Sequence, residues 1–487
     1  MRLTPLDLAI IFAYLMGVTL LGLAFRRGQH SVRDYFLSGR TAPWWALALS
    51  IVATETSTLT IIGTPALAFA GNLTFLQLVL GYLAGRAVII LLFLPHYFRG
   101  EFYTAYQLLE RRFGAKVKAA AASLFLLTRA LAEGVRIAAI AVVVAAAFGA
   151  GQRASVLLIM ALVLVYTFEG GMKAVIWTDV AQVFLYLAGS VAAFFILLHQ
   201  IPEGWATVAQ VAQATEKFRV FDFSLSLTDP AKTYTFWSGL FGGGFLTMAT
   251  HGTDQTIVQR LLAAKSRREA SLALLASWGV IFLQFALFLV LGVMLYAWHG
   301  APAIQSGQSY DWVFPDFIVT AMPAGIRGLV IAAIFAVAMS NASGSLNSLA
   351  ASSVVDFRTL LGAPALEGAG AVSFLRLARW MTLVWGVVLM ILGTFQWGPL
   401  LEAGLTIASI TFGGLLGVFL LAFLLRRATA GGVLAGMVAG LVAMVCIHFY
   451  TTLVWTWYVL AGAGITFLAG ALASFAGRNV IQFQGTK

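Results

Sequence analysis

Apolar runs of about twenty residues recur along the whole chain, each closed by a short polar or basic turn. The length is the one a helix needs to cross the hydrocarbon of a bilayer, where each backbone N–H and C=O has to be paired inside the segment. Counted this way, the pattern predicts about thirteen membrane helices. They fall near 6–25, 43–70, 73–98, 119–148, 154–168, 174–199, 234–260, 270–298, 331–357, 377–397, 402–425, 430–450 and 455–476. Little sequence is left for a soluble domain.

Three of these runs break the pattern. The second is interrupted by Ile51-Val-Ala-Thr-Glu-Thr-Ser-Thr-Leu-Thr-Ile-Ile-Gly63 and then Pro65. Hydroxyls, a carboxylate, glycine and proline together predict a broken helix with released backbone carbonyls. The seventh carries Gly242-Gly243-Gly244 and then His251, Gly252, Asp254 and Gln255, and reads as a second break. The ninth is long enough to span but crowds Ser340, Asn341, Ser343, Ser345, Asn347, Ser348, Ser352 and Ser353 into about four turns. At helical spacing these form a wide oxygen-bearing stripe with no reason to face lipid. It either packs tightly against other helices or lines a hydrated cavity.

The two interrupted spans stand five apart, and spans two to six are an odd number of crossings. The second set of five therefore enters from the opposite side, as in an inverted repeat. This divides the chain into 1–42 (leading helix and cytoplasmic loop), 43–199 (first repeat), 200–233 (extracellular loop), 234–427 (second repeat) and 428–487 (two trailing helices). No internal sequence identity is visible, so the repeat rests on helix count and breaks. The fold class is all-α polytopic membrane protein.

Composition agrees: 61% of residues are hydrophobic, 10% are charged and the mean hydropathy is +0.92. The net charge of +11 does not mark a nucleic-acid-binding face, because the basic residues sit in short loops between spans. Arg26, Arg27, Arg33 and Arg40, then Arg111, Arg112 and Lys116, then Lys265, Arg267 and Arg268 assign those loops to the cytoplasm. The N-terminus is then outside, and Arg478 and Lys487 put the C-terminus inside. The first run is too long for a signal-peptide core and reads as a retained span. The single cysteine, Cys446, excludes a disulfide framework or a thiolate metal site.

Charges inside the spans are few. Arg129, Glu133 and Arg136 lie at i, i+4 and i, i+3 spacing, so the glutamate can neutralise both arginines as a structural cluster; alternatively Arg136 faces a substrate. Asp179, with Gln182 nearby, is costly there unless it is paired, protonated or bound to a cation; alternatively it caps a bend near the cytoplasmic edge. The stretch Trp205–Phe218 is amphipathic and is expected along the outer surface.

Three segments carry a resemblance. They are Gly170-Gly171-Met172-Lys173-Ala174-Val175-Ile176-Trp177-Thr178-Asp179, then Gly252-Thr253-Asp254-Gln255 with Gln259-Arg260, then Pro323-Ala-Gly-Ile-Arg-Gly328 leading to Met339-Ser340 and Leu346-Asn347. In this order they resemble the signature stretches of the sodium:solute symporter family over nearly the whole chain. The resemblance implies the five-plus-five inverted repeat of the leucine-transporter type and sodium-driven secondary transport. It also implies a sodium site made of the backbone carbonyls of Ala53, Thr56 and Val337 with side-chain oxygens of Ser340 and Asn341. Members commonly have Ser or Thr where this chain has Asn341. Some are thought to hold a second sodium through the positions of Asp179 and Ser343 and the next residue, which here is Gly344 and offers no oxygen. One coupling sodium is therefore expected.

A solute pocket between the breaks nominates Ser57, Thr60 and Gln77 on one side and Phe245, Thr247 and His251 on the other. Each has a plainer reading as a cap, a core residue or a structural histidine. Arg136 in the cavity would favour a carboxylate, such as a monocarboxylate, amino acid or sugar acid, over a neutral sugar or polyol. No nucleophile or metal-ligand motif lies within the spans, so an enzyme is not expected. An ion channel would not need two broken helices. The expected partners are sodium, a small organic solute and the lipid bilayer of the plasma membrane, with no nucleic acid and no obligatory oligomer.

Overall fold

The computed structural model describes residues 3–25, 32–100, 102–148, 151–305, 310–357, 371–395 and 400–484. Among these the chain is helical almost throughout, with one isolated bridge between Ala42 and Ala264 and no sheet. The first part runs α1 (Pro5–Ala24), α2 (Val32–Leu37), α3 (Trp44–Glu55), α4 (Thr58–Ala70), α5 (Leu76–Val88), α6 (Leu94–Tyr97), α7 (Tyr106–Phe113) and α8 (Ala115–Phe148). The middle is α9 (Gln152–Gln200), α10 (Trp205–Ala214), α11 (Gly244–Gly252), α12 (Gln255–Leu262), α13 (Arg267–Trp298) and α14 (Val313–Ala321). The last part is α15 (Ile326–Val355), α16 (Ala371–Gly393), α17 (Leu400–Leu424), α18 (Ala430–Tyr450) and α19 (Tyr458–Gln484).

Each expected span coincides with helix. By length and apolarity alone nine described helices qualify as crossings, or ten when one bent pair counts as a single span. Of the other expected spans, 119–148 carries the intramembrane charges, 234–260 carries the second break, and 154–168 falls on the shorter apolar helix Arg153–Val165. Arg26, Arg27 and Lys487, assigned to the inner side, lie outside the described residues. The surface is apolar, with Phe12, Leu91, Leu283 and Phe449 among its exposed side chains. Serines and asparagines instead fill the interior of α15, as expected where the outer solvent is hydrocarbon.

The break in the second span lies at Thr56 and Ser57. Both adopt extended backbone, and the axes of α3 and α4 bend by 66°. Sequence chemistry fixes the position. Ser57 caps α4 by accepting from Thr60 N, while Ser57 N donates to Thr60 Oγ1 instead of closing another turn on the Ala53 carbonyl. Thr56 is anchored by its hydroxyl to Val52 O and to Gln284 of α13. The seventh span is interrupted twice. A π-helical turn at Ser238–Gly243 precedes α11, and α12 starts afresh at Asp254, whose side chain accepts from Thr256 N. Gly81 of α5 meets that π turn so closely that a Cβ on it would lie 1.8 Å from Gly239 O.

The motif segments act as joints. At Gly171 (φ 54°) the run of α9 turns, and a side chain there would strike Tyr35. Arg327 bonds Asp7 of α1 at 2.7 and 3.0 Å, and the N–H groups of Gly325 and Gly328 donate to the same carboxylate, tying α15 to the leading helix. The amphipathic segment forms α10, with Val208 and Ala212 buried. Just beyond it the Lys217 ammonium donates to the carbonyls of Phe69 and Gly71 at the end of α4 and lies 3.8 Å from the Tyr296 ring centroid.

Candidate functional site

The end of α3 and the middle of α15 face each other. Asn341 Nδ2 donates to Thr56 O at 2.6 Å and to Val337 O at 3.0 Å, so two of the expected cation-ligating carbonyls converge on one point. Ser340 Oγ donates to Asp179 Oδ1 at 2.7 Å, which leaves the lone pairs of the hydroxyl oxygen for a cation. Ala53, Thr56, Val337, Ser340 and Asn341 are all buried. Their oxygens are neutral and hard, at the negative end of a truncated helix, and fit an alkali cation.

Asp179 is buried and already well supplied. It accepts from Ser50 Oγ at 2.5 Å, from Ser340, and from the Arg260 guanidinium at 2.9 Å. Arg260 is itself fully buried and donates further to Ser50 Oγ and Thr256 O. Gly344 makes room for it, since a Cβ there would lie 2.8 Å from Arg260 Nη2. Ser343, the other residue of the second-ion expectation, donates to Ser340 O.

Beside the break opens a cavity of ≈ 260 Å³. Ser57, Thr60, Thr247, His251 and Arg136 line it, whereas Gln77 and Phe245 are not among its lining residues. The Gln77 amide is occupied elsewhere, donating to Tyr234 O and accepting from Asp222 N. His251 is bonded to Thr250 Oγ1 and stands 3.2 Å from Glu55, which also binds Arg86 at 2.6 Å. The arginines of α8 differ. Arg129 is buried, donates to Ser345 at 3.0 Å and lies 3.7 Å from Asp254. The Arg136 side chain keeps 26% exposure on the cavity, and its two contacts among the described residues, to Glu133 and Asn341, are both 3.4 Å long.

The profile of the sodium:solute symporter family matches residues 35–440. The chain belongs to that family. The symporter is 30% identical over 444 residues to the human sodium/iodide cotransporter, covering 89% of this chain and 67% of that protein. It is 27% identical over 482 residues to a sodium/sialic acid symporter of Proteus mirabilis, covering 96% and 95%. The mouse sodium-coupled monocarboxylate transporter 1 is 28% identical over 422 residues, covering 85% of this chain and 67% of that protein. Among solved structures, a Na+-coupled sialic acid symporter in a substrate-bound outward-open state superposes with a TM-score of 0.86 at 26% identity, covering 97% of this chain and 98% of that one. The symporter is thus a membrane-embedded, sodium-coupled transporter of a small solute and not an enzyme.

Three charged groups of this centre are not marked by the sequence pattern: Glu55 reads along the chain only as a helix breaker, Arg86 belongs to no motif, and Arg260 stands only within one. The signal was available, because an arginine inside an apolar run needs a buried partner. The partner's identity was not, since Asp179 and Arg260 are 81 residues apart.

Proposed function

We propose that the symporter imports a small carboxylate-bearing solute with one sodium ion per cycle. Arg136 carries this reading: it is the cavity-facing guanidinium whose contacts are long, while Arg86 and Arg129 have shorter ones. A planar guanidinium open to a cavity matches a carboxylate. Relatives that transport sialic acid and monocarboxylates support the same class. The sodium occupies the oxygens of Ala53, Thr56, Val337, Ser340 and Asn341. The Arg260 guanidinium beside Asp179 acts as a built-in cation where a second sodium would otherwise sit. Residues 43–199 and 234–427 form the two repeats that rock around this centre, with the N-terminus outside and the C-terminus in the cytoplasm.

Sodium moving with one monovalent carboxylate carries no net charge. A tenfold sodium gradient then supplies about 1.4 kcal/mol, and the membrane potential, worth about 2.3 kcal/mol per charge per 100 mV, adds nothing. A neutral sugar or polyol would draw on both. The test begins with a thermal-shift screen of carboxylates and sugars in sodium against choline, followed by uptake of the hit in proteoliposomes at imposed potentials. Uptake of a monocarboxylate that needs sodium and ignores potential is expected. Sodium-dependent binding of neutral sugars alone, or potential-driven carboxylate uptake, overturns the reading.

A further inference from the structure

Asn341 touches both halves of the proposed site. Its Nδ2 faces the carbonyls of Thr56 and Val337 at 2.6 and 3.0 Å, and its Oδ1 faces Arg136 Nη1 at 3.4 Å. These partners fix the amide's orientation: carbonyls accept only, so the NH2 has to point at them, and a guanidinium donates only, so the oxygen has to point at it. A cation drawn to the point where these two carbonyls converge has to displace the amide NH2 that now occupies it. To offer oxygen to that cation, the carboxamide has to turn over. It then presents N–H groups toward Arg136, donor against donor.

We infer that Asn341 couples the ion to the solute: its single carboxamide cannot serve sodium and Arg136 together, so sodium entry releases Arg136 to bind the solute's carboxylate. This rests on the ion and solute assignments of the preceding section and adds the link between them. By linkage, a carboxylate that takes Arg136 frees Asn341 and raises sodium affinity by the same factor. A serine or threonine at this position supplies an oxygen ligand without a carboxamide to turn, so the device belongs to this chain's own residue.

The link can be read without knowing the solute. Thermal stability of the purified full-length protein is titrated with NaCl, choline chloride holding ionic strength, for the wild type, R136Q, N341S and the double variant. R136Q lowers half-saturating sodium in both backgrounds, because a nearby cation is lost. In the wild-type background it also frees Oδ1, so its effect there exceeds its effect alongside N341S by about three- to tenfold, the range of one hydrogen bond. N341D keeps the shape but cannot donate to the carbonyls. It should lower half-saturating sodium whether or not N341S folds, and an increase would count against the inference. Equal effects of R136Q in the two backgrounds overturn the coupling and leave the sodium site standing. If sodium does not stabilise the wild type over choline, the sodium site itself is wrong, and the coupling falls with it.

Discussion

Replacing Arg136 by glutamine separates a solute-binding arginine from a structural one. The local cost of R136Q follows from its neighbours. Glu133 loses a contact at 3.4 Å but keeps Ser345 at 2.9 Å and Arg129 at 4.0 Å. A pair this long, with one partner open to a cavity, should contribute less than about 1 kcal/mol to stability. A carboxylate held by the guanidinium loses charge-assisted hydrogen bonds of about 1.5–3 kcal/mol. That is roughly a ten- to hundredfold rise in KM. The assay is sodium-dependent counterflow in proteoliposomes, with sialic acid and a short monocarboxylate each compared with its uncharged amide. The expected result is a large rise in KM for the acids, little change for the amides and a Tm near that of the wild type. Equal losses for acid and amide would refute solute recognition by Arg136. A stability loss of about 3–5 kcal/mol, the cost of breaking a buried ion pair, would make the arginine structural.

Two further outcomes follow from the same geometry. S340A removes one oxygen ligand and one donor to Asp179, and should raise the half-saturating sodium for uptake about tenfold with far less effect on folding; an unchanged sodium dependence would show that the ligand is misassigned. On the loop between α10 and α11, burial pushes the Lys217 ammonium down from 10.5 to about 8, so between those values the unfolded chain binds more protons and folding gains stability as pH rises. The Tm difference between the wild type and K217M should accordingly be flat from pH 6 to 8 and move in favour of the wild type from pH 8 to 10; a flat difference throughout would contradict the buried charge.

Periodicity and local chemistry carried the sequence reading of the scaffold. Apolar run length located the helices because the bilayer sets one thickness for all of them. The hydroxyl cluster before Ser57 and the Gly252-Thr253-Asp254 stretch located both breaks, because a capping side chain acts on backbone only a few residues away. The polar stripe of α15 likewise turned inward, since serines and asparagines have no partners in lipid.

What the sequence could not decide is which of these groups meet. The pairs Arg260 with Asp179, Arg86 with Glu55, and Asn341 with Thr56 join residues 81, 31 and 285 positions apart. Nothing in periodicity encodes such distances, and a buried charge will accept any partner of opposite sign that packing brings to it. Gly344 shows the difference: alone it reads as a missing ligand, and in the folded chain it is the space an arginine fills. The sequence determined a bundle of spans with two breaks, because those depend on neighbours along the chain. Tertiary packing decided which arginine was tied down and which was left facing the cavity, because that depends on neighbours across it.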